Sequence, residues 1–303
     1  MNRDWETVFR NWAKPSSDTE QQKCGNAVKM VCDAISGDSA LSQKNIEVFP
    51  QGSYRNNTNV RQDSDVDICV CLLDVCLVDF SMSGALTDQI VGLNSSDYTY
   101  GEFKNSVEKA LVAKFGRANV RRCNKAFDIH ANTYRVDADV VPCFEHRRYT
   151  GERHYDSSYY YLSGTEFCPD NGGRIINWPQ QHYENGVAKN DATGNRFKYI
   201  TRVLKRLRNE MADKGIAAAK PIPSYLIECL VWNVPNEGFG HDIYTDDVRY
   251  VLAHTFNETI NDEKCSEWRE VNELKYLFRI RQPWTRQQAH EFLSAAWNYI
   301  GFE

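Results

Sequence analysis

The sequence predicts an α/β first half followed by a helical second half. Three observations carry this. Up to residue 142, amphipathic helical patterns alternate with short apolar strands punctuated by Gly and Pro. From Arg196 onward the apolar residues recur at helical spacing. Between these halves, residues 145–195 are polar and rich in Gly and Asn, which marks a seam. The chain has 303 residues, enough for one large domain or two smaller ones. The expected division is residues 1–150 as the α/β part with its N-terminal helices, 151–195 as connecting strands and loops, and 196–303 as the helical lobe.

The elements follow in order. Residues 4–13, with Trp5, Phe9 and Trp12, predict a short helix ended by Pro15. Ser17-Asp18-Thr19-Glu20 is a capping box. The helix it opens places Cys24, Val28, Val31, Cys32 and Ile35 on one face and closes at Gly37-Asp38. Ile46–Phe49 reads as a strand stopped by Pro50, followed by a Gly52-Ser53 turn and an apolar strand through Ile68–Leu72. Residues 79–100 are turn-rich and predict a loop. Phe103, Val107, Ala110 and Leu111 predict a helix ending near Phe115-Gly116. Residues 118–122 and 125–129 read as short strands, and 134–141 as a longer one stopped by Pro142. Helices are expected over 196–213, 224–233, 244–260, 266–280 and 285–300.

Composition bounds the function classes. At 42% hydrophobic and 25% charged the chain is ordinary for a soluble globular protein. It has no apolar run near the ~20 residues that span a bilayer, and its first residues lack the apolar segment of a signal peptide. A cytoplasmic location without membrane contact is expected. Ten cysteines and seven histidines include no Cys-x-x-Cys pair and no zinc spacing, so reduced, mostly buried thiols are expected. The net charge of −5 argues against a long nucleic-acid partner, which needs a basic surface. It leaves mononucleotides open.

The chemistry concentrates in residues 52–67. A strand alternates its side chains between two faces, so Asp65 and Asp67 share one face while Val66, Ile68, Val70 and Leu72 share the other. Two carboxylates that close repel unless neutralised, and a divalent cation such as Mg²⁺ does this with hard oxygen ligands shared with substrate phosphates. The Gly52-Ser53 turn can bring backbone N–H groups to those phosphates. A two-metal site needs a third acid. Asp137 and Asp139, in Arg135-Val136-Asp137-Ala138-Asp139-Val140-Val141-Pro142, are the two candidates.

Gly52-Ser53, Asp65-Val66-Asp67 and Asp139-Val140-Val141-Pro142-Cys143-Phe144 together resemble the polymerase-β-type nucleotidyltransferase superfamily. Within it, Gln51 to Arg61 with Asp63-Ser64-Asp65-Val66-Asp67 resembles the bacterial CD-NTases, relatives of cyclic GMP-AMP synthase and oligoadenylate synthetases. The resemblance covers nearly the whole chain. It implies a polymerase-β-type core sheet joined to a C-terminal helical bundle, two-lobed with the active site in the cleft. It also implies Asp139 as the third acid, and Asp65, Asp67 and Asp139 as ligands of two Mg²⁺ ions, with Mn²⁺ an alternative.

The resemblance extends to nucleotide contacts. Lys198, Arg202, Lys205 and Arg206 form a basic face on the 196–213 helix, which read alone is a solvated cationic face. The resemblance makes Lys205 the lysine that grips the triphosphate, with Lys198 and Arg202 as second choices. It makes Ser224 a donor-phosphate contact and Tyr225 a base-stacking ring; read alone they are an N-cap and a core tyrosine. Gln51 and Arg61 border the Gly-Ser turn and could touch phosphates. Asn185 and Asn190 lie in a stretch similar to those of CD-NTase branches that accept pyrimidines or make trinucleotides, which would put them at a base edge. As residues alone they read as turn asparagines. The Tyr159–Tyr161 run reads as strand packing.

The implied function is template-independent synthesis of a cyclic di- or trinucleotide, expected to contain adenine, from ATP and other NTPs with pyrophosphate release. The product would signal phage infection to a downstream effector, and a regulatory partner stays open. The alternatives are a nucleotidyltransferase making linear oligonucleotides or modifying tRNA or protein, and a degenerate nucleotide sensor.

Overall fold

The computed structural model describes residues 3–60, 65–279 and 282–303. The chain opens with α1 (Trp5–Trp12) and α2 (Asp18–Gly37). Next come β1 (Ile46–Gln51), the one-turn helix α3 (Gly52–Arg55), β2 (Val66–Asp79) and α4 (Tyr100–Phe115). Strands β3 (Val120–Arg122), β4 (Phe127–Ile129), β5 (Ala138–Arg153), β6 (Tyr159–Phe167) and β7 (Ile175–Asn177) follow. Helices α5 (Pro179–Ala192), α6 (Arg196–Asp213), α7 (Ser224–Trp232), α8 (Tyr244–Glu258) and α9 (Arg286–Ile300) complete it.

Two compact units emerge. The sheet unit comprises Asp18–Tyr54 and Asp65–Gln180. The helical unit comprises Met1–Ser17, Arg55–Ser64 and Gln181–Glu303. The N-terminal helix α1 and the segment after the Gly-Ser turn thus group with the helical half, where the sequence reading places all of residues 1–150 together.

The sheet runs in the order β1-β2-β5-β4-β3, with β6 pairing β5 and β7. β2 pairs β5 in parallel and β1 antiparallel. The predicted alternation holds. Ile68, Val70 and Leu72 are buried with Val31 and Ile35 of α2 and Phe103, Val107 and Leu111 of α4. Cys69 and Cys71 point the other way and cluster with Val141, Cys143 and Phe167. All ten cysteines are free. An unforeseen capping box, Thr99 with Glu102, starts α4.

Several expectations are corrected. β1 runs through Pro50 to Gln51. It is an edge strand, where a missing N–H is tolerated. β5 begins at Ala138 rather than Tyr134, because Asn132 Oδ1 accepts from the Tyr134 and Arg135 N–H groups and folds that stretch into a turn. β5 then continues through Pro142. That residue falls between the last β4 partner, Val140, and the first β6 partner, Phe144, where β5 changes neighbours. Residues 179–192 form a helix with Pro at its first position, where strands and loops are expected.

In the helical unit, Phe197, Ile200, Val203 and Leu207 of α6 centre one apolar core with residues of α7, α8 and α9. Residues 266–279 are not the expected helix. Glu273 adopts φ +58°, and an Arg269–Tyr276 bridge reverses the chain. The apolar spacing there (Val271 and Leu277) serves burial without helical geometry.

The alternation predicts opposite outcomes for adjacent residues. Ile68→Ala should lower unfolding free energy by about 2–5 kcal/mol. Asp67→Ala, which removes one of several crowded carboxylates, should cost less than about 1 kcal/mol. Urea denaturation of both variants checks this.

Candidate active site

The pairing register builds the site. Asp67 on β2 stands directly opposite Asp139 on β5. Asp139 in turn stands opposite Asp128 on β4, and Gln51 on β1 opposite Asp67. Neighbouring strands are about 4.8 Å apart, so these residues form one row on one face. Asp65 is exposed and immediately precedes β2. Asp137, the other candidate third acid, lies outside the row. Its Oδ1 accepts from the Ala131 N–H at 2.7 Å and closes the turn before β5.

Asp128 is an acid the sequence reading does not single out. Its only signal is alternation in Phe127-Asp128-Ile129, where both apolar neighbours are buried. Arg121 Nε donates to Asp128 Oδ2 at 2.8 Å, and the Cys123 thiol lies 3.1 Å from the same oxygen.

The row is electrostatically crowded. Burial, then the Asp128 carboxylate and its hydrogen bond, then the charges of Asp67 and Asp65, push Asp139 up to about 7. Burial also opposes the charge on Asp128, but Arg121, Cys123 and Asp139 hold that carboxyl below the usual range. Of the two, Asp139 is therefore the carboxyl that keeps its proton toward neutrality. A divalent cation suits the chemistry of this donor set, because it offsets mutual repulsion among hard oxygen ligands. Among the described residues, no three His, Cys, Asp or Glu side chains converge as they stand around an ion position. A cation would have to compete with the proton that ties Asp139 to Asp128.

The Gly-Ser turn is fitted to this row. Gly52 has φ +64°, and a Cβ there would lie 2.2 Å from Asp67 Oδ2. Only glycine lets the backbone pass this close to the carboxylate. Ser53 is half-buried at the start of α3, and Gln51 is half-buried. Arg61, Asp63 and Ser64 lie outside the described residues.

In the helical unit Lys198, Arg202 and Lys205 of α6 are buried, where the residues read alone give a solvated cationic face. Lys205 is 2% exposed. Its Nζ donates to Glu228 Oε2 at 2.7 Å, Thr58 Oγ1 at 3.1 Å and Thr58 O at 3.2 Å. Arg202, also buried, donates to the carbonyls of Ala13 and Asn57. Lys198 is buried as well, and burial lowers its proton affinity.

Ser224 begins α7, and its hydroxyl accepts from Arg208, a cation the sequence reading passes over. Tyr225 is half-buried with its hydroxyl on Glu270 at 2.9 Å. Its ring is near His182 and Trp284. Asn185 and Asn190 are helical, not turn, residues. Asn185 donates to the Val271 carbonyl at 2.8 Å. Asn190 is buried, donating to Asn195 Oδ1 and accepting from the Lys198 N–H. Both amides are engaged within the helical unit. The Tyr159–Tyr161 run lies on β6, and Tyr161 packs on Tyr149.

Residues 184–301 match the cGAS/DncV-like nucleotidyltransferase C-terminal helical domain. The chain is 52% identical to a cyclic dipyrimidine nucleotide synthase, CdnE, of Legionella pneumophila over 300 residues, covering 99% of both chains. It is 42% identical to the cyclic dipyrimidine nucleotide synthase of Cecembia lonarensis over the full length of both. Among solved structures, the Rhodothermus marinus CdnE c-UMP-AMP synthase with Apcpp and Upnpp matches with TM-score 0.82 at 29% identity, covering 98% of this chain and 97% of that one. The Elizabethkingia meningoseptica CdnE cyclic dinucleotide synthase with GTP and Apcpp matches with TM-score 0.80 at 35% identity, covering 98% and 99%.

The raised Asp139 sets a pH dependence. Unfolded, the group titrates near 3.8; folded, near 7. Its contribution to stability is fully present below the lower value and is lost as pH rises through the upper one, because the folded state holds the proton longer. The melting temperature in chelator should fall between about pH 4 and pH 7 from this group, and Asp139→Asn should remove that component. Adding Mg²⁺ should raise the melting temperature more at about pH 7.5 than at about pH 5.5, where the proton competes. Calorimetric scans across pH measure both.

Proposed function

The chain belongs to the cGAS/DncV-like nucleotidyltransferase (CD-NTase) family, and from that premise we propose that it joins two pyrimidine nucleoside triphosphates into a cyclic dinucleotide. The observation that carries this reading is the end-to-end identity with the Legionella cyclic dipyrimidine synthase. The Cecembia synthase, named for the same product class, supports it.

In each of two rounds, a ribose hydroxyl oxygen bonds to the α-phosphorus of a donor, the bond from that phosphorus to the leaving pyrophosphate breaks, and the hydroxyl proton is lost to base. The second round closes the ring. Asp65, Asp67 and Asp139 are the proposed catalytic acids and the proposed holders of two Mg²⁺ ions. When bound, such ions lower the acceptor hydroxyl's pKa and offset phosphate charge. Asp139 is proposed to ligate the metal that binds the acceptor hydroxyl, serving as general base or its substitute. The Gly52-Ser53 backbone is proposed to meet donor phosphates, with Gln51 at its edge. Ser224, with Arg208, is proposed for a donor phosphate, and Tyr225 for a base.

The location proposed is the cytoplasm, where the NTPs are. The product is proposed to act on a downstream effector in anti-phage signalling. A second reading, an adenine-containing product such as cyclic UMP-AMP, is favoured by the likeness to the Rhodothermus synthase, at lower identity.

Incubating the protein with each NTP alone and in pairs, with Mg²⁺, and analysing products by mass spectrometry tests this. A phosphatase-resistant cyclic product holding only uracil or cytosine is expected. Adenine in the product selects the second reading, and only linear product, or none, contradicts both. Asp65→Ala, Asp67→Ala and Asp139→Ala should each cut product formation by at least about a thousandfold, whereas Asp137→Ala should stay within about threefold of wild type.

A further inference from the structure

Residues 266–279 reverse direction where a helix is expected, and the reversal buries a carboxylate. Glu270 is 4% exposed, and both of its oxygens are engaged. Oε2 accepts from the Tyr225 hydroxyl at 2.9 Å and from Asn272 Nδ2 at 2.7 Å. Oε1 accepts from Gln282 Nε2 at 2.7 Å. Burying a carboxylate is costly, and these three donors offset that cost. Asn272 is buried too, and its Nδ2 lies 3.4 Å from the Tyr225 oxygen. In a helix, residues 270 and 272 would not face each other. In the reversal both reach the same hydroxyl.

The reversal is fastened within the helical unit. The Glu270 N–H donates to the Lys275 carbonyl at 2.9 Å, and the Leu277 N–H to the Trp268 carbonyl at 2.8 Å. From α5, Asn185 donates to the Val271 carbonyl. Beyond the end of α7, the Asn233 amide exchanges two bonds with the backbone of Arg269. Gln282 also donates to the Tyr276 carbonyl at 2.8 Å. The Tyr225 ring is flanked by His182 at 5.6 Å and Trp284 at 6.0 Å between ring centroids. Glu228 in turn holds His182, with Oε1 2.9 Å from Nε2. A ring packed against two others and tied at its hydroxyl keeps one orientation.

We propose that Glu270 is a positioning residue for the nucleotide base: with Asn272 and Gln282 it fixes the Tyr225 ring in the orientation that stacks on a pyrimidine. The inference rests on the reading of Tyr225 as a base contact. Glu270 does not touch the nucleotide and acts through the tyrosine hydroxyl. A ring free to turn would have to be ordered each time a nucleotide binds, and ordering a side chain costs affinity. That loss falls on the base and leaves the phosphates unaffected.

Steady-state kinetics on the full chain test it, with UTP as substrate and inorganic triphosphate, which has no base, as competitor. Tyr225→Phe removes the hydroxyl and keeps the ring. It should raise KM for UTP at least about fivefold with kcat within about threefold, while inhibition by triphosphate stays within about twofold. Glu270→Ala should do the same, and Glu270→Gln, which keeps an acceptor for the hydroxyl, should return KM to within about twofold of wild type. Because Glu270 acts through the hydroxyl, Tyr225→Phe/Glu270→Ala should be no worse than about twofold beyond either single variant. Wild-type KM in Tyr225→Phe would overturn the inference. So would equal weakening of UTP and triphosphate, or additive losses in the double variant, either of which makes Glu270 a staple of the loop alone. Wild-type KM in Tyr225→Leu would refute instead the reading of Tyr225 as a base contact. Equilibrium dialysis of UTP repeats the comparison without turnover, so it decides the inference even where the wild type makes no cyclic product.

Discussion

The parallel register of β2 against β5 is the constraint on which the rest depends. It sets Asp67 beside Asp139, and β4 adds Asp128 to the same row. A slip of one residue would turn every side chain of the strand over. The register is held because Ile68, Val70 and Leu72 must face α2 and α4. Burying each such side chain is worth roughly 1.5–3 kcal/mol, so the apolar face sustains a neighbouring row of carboxylates that repel one another. Burial and that repulsion together push Asp139 up to about 7, and the repulsion gives a cation a reason to enter.

Much of this was legible in the sequence. Period-two alternation placed Asp65, Asp67, Cys69 and Cys71 on one side of a strand; Cys69 and Cys71 do cluster apart from Ile68, Val70 and Leu72, while Asp65 precedes the strand. The choice of Asp139 over Asp137 came from the family resemblance, and the structure stands Asp139 alone of the two in the row. Asp128 was not legible, because a three-residue strand does not announce its partner. Prolines misled twice. They break a strand only where a ladder bond is needed, and Pro50 sits on an edge strand while Pro142 sits where β5 changes neighbours.

The surroundings of the basic face of α6 were less legible. Spacing correctly placed Lys198, Arg202 and Lys205 on neighbouring turns, but spacing cannot say what the face meets. Here it meets Thr58, 147 residues away in the chain from Lys205. Buried lysines are rare because desolvation is costly. This one is stabilised by Glu228, and a buried carboxylate partner has no local sequence signal. The 266–279 stretch failed for a related reason: burial of Val271 and Leu277 looks the same in a helix and in a reversing loop.

The proposed reacting acids lie in the sheet unit; Ser224, Tyr225 and the network around Thr58 lie in the helical unit. Soaking crystals with Mn²⁺ and a non-hydrolysable pyrimidine triphosphate, and locating the metal by anomalous diffraction, tests the central claim most directly. The account predicts metal within coordination distance of Asp65, Asp67 and Asp139. Metal bound elsewhere, with Asp139 still paired to Asp128, would contradict it.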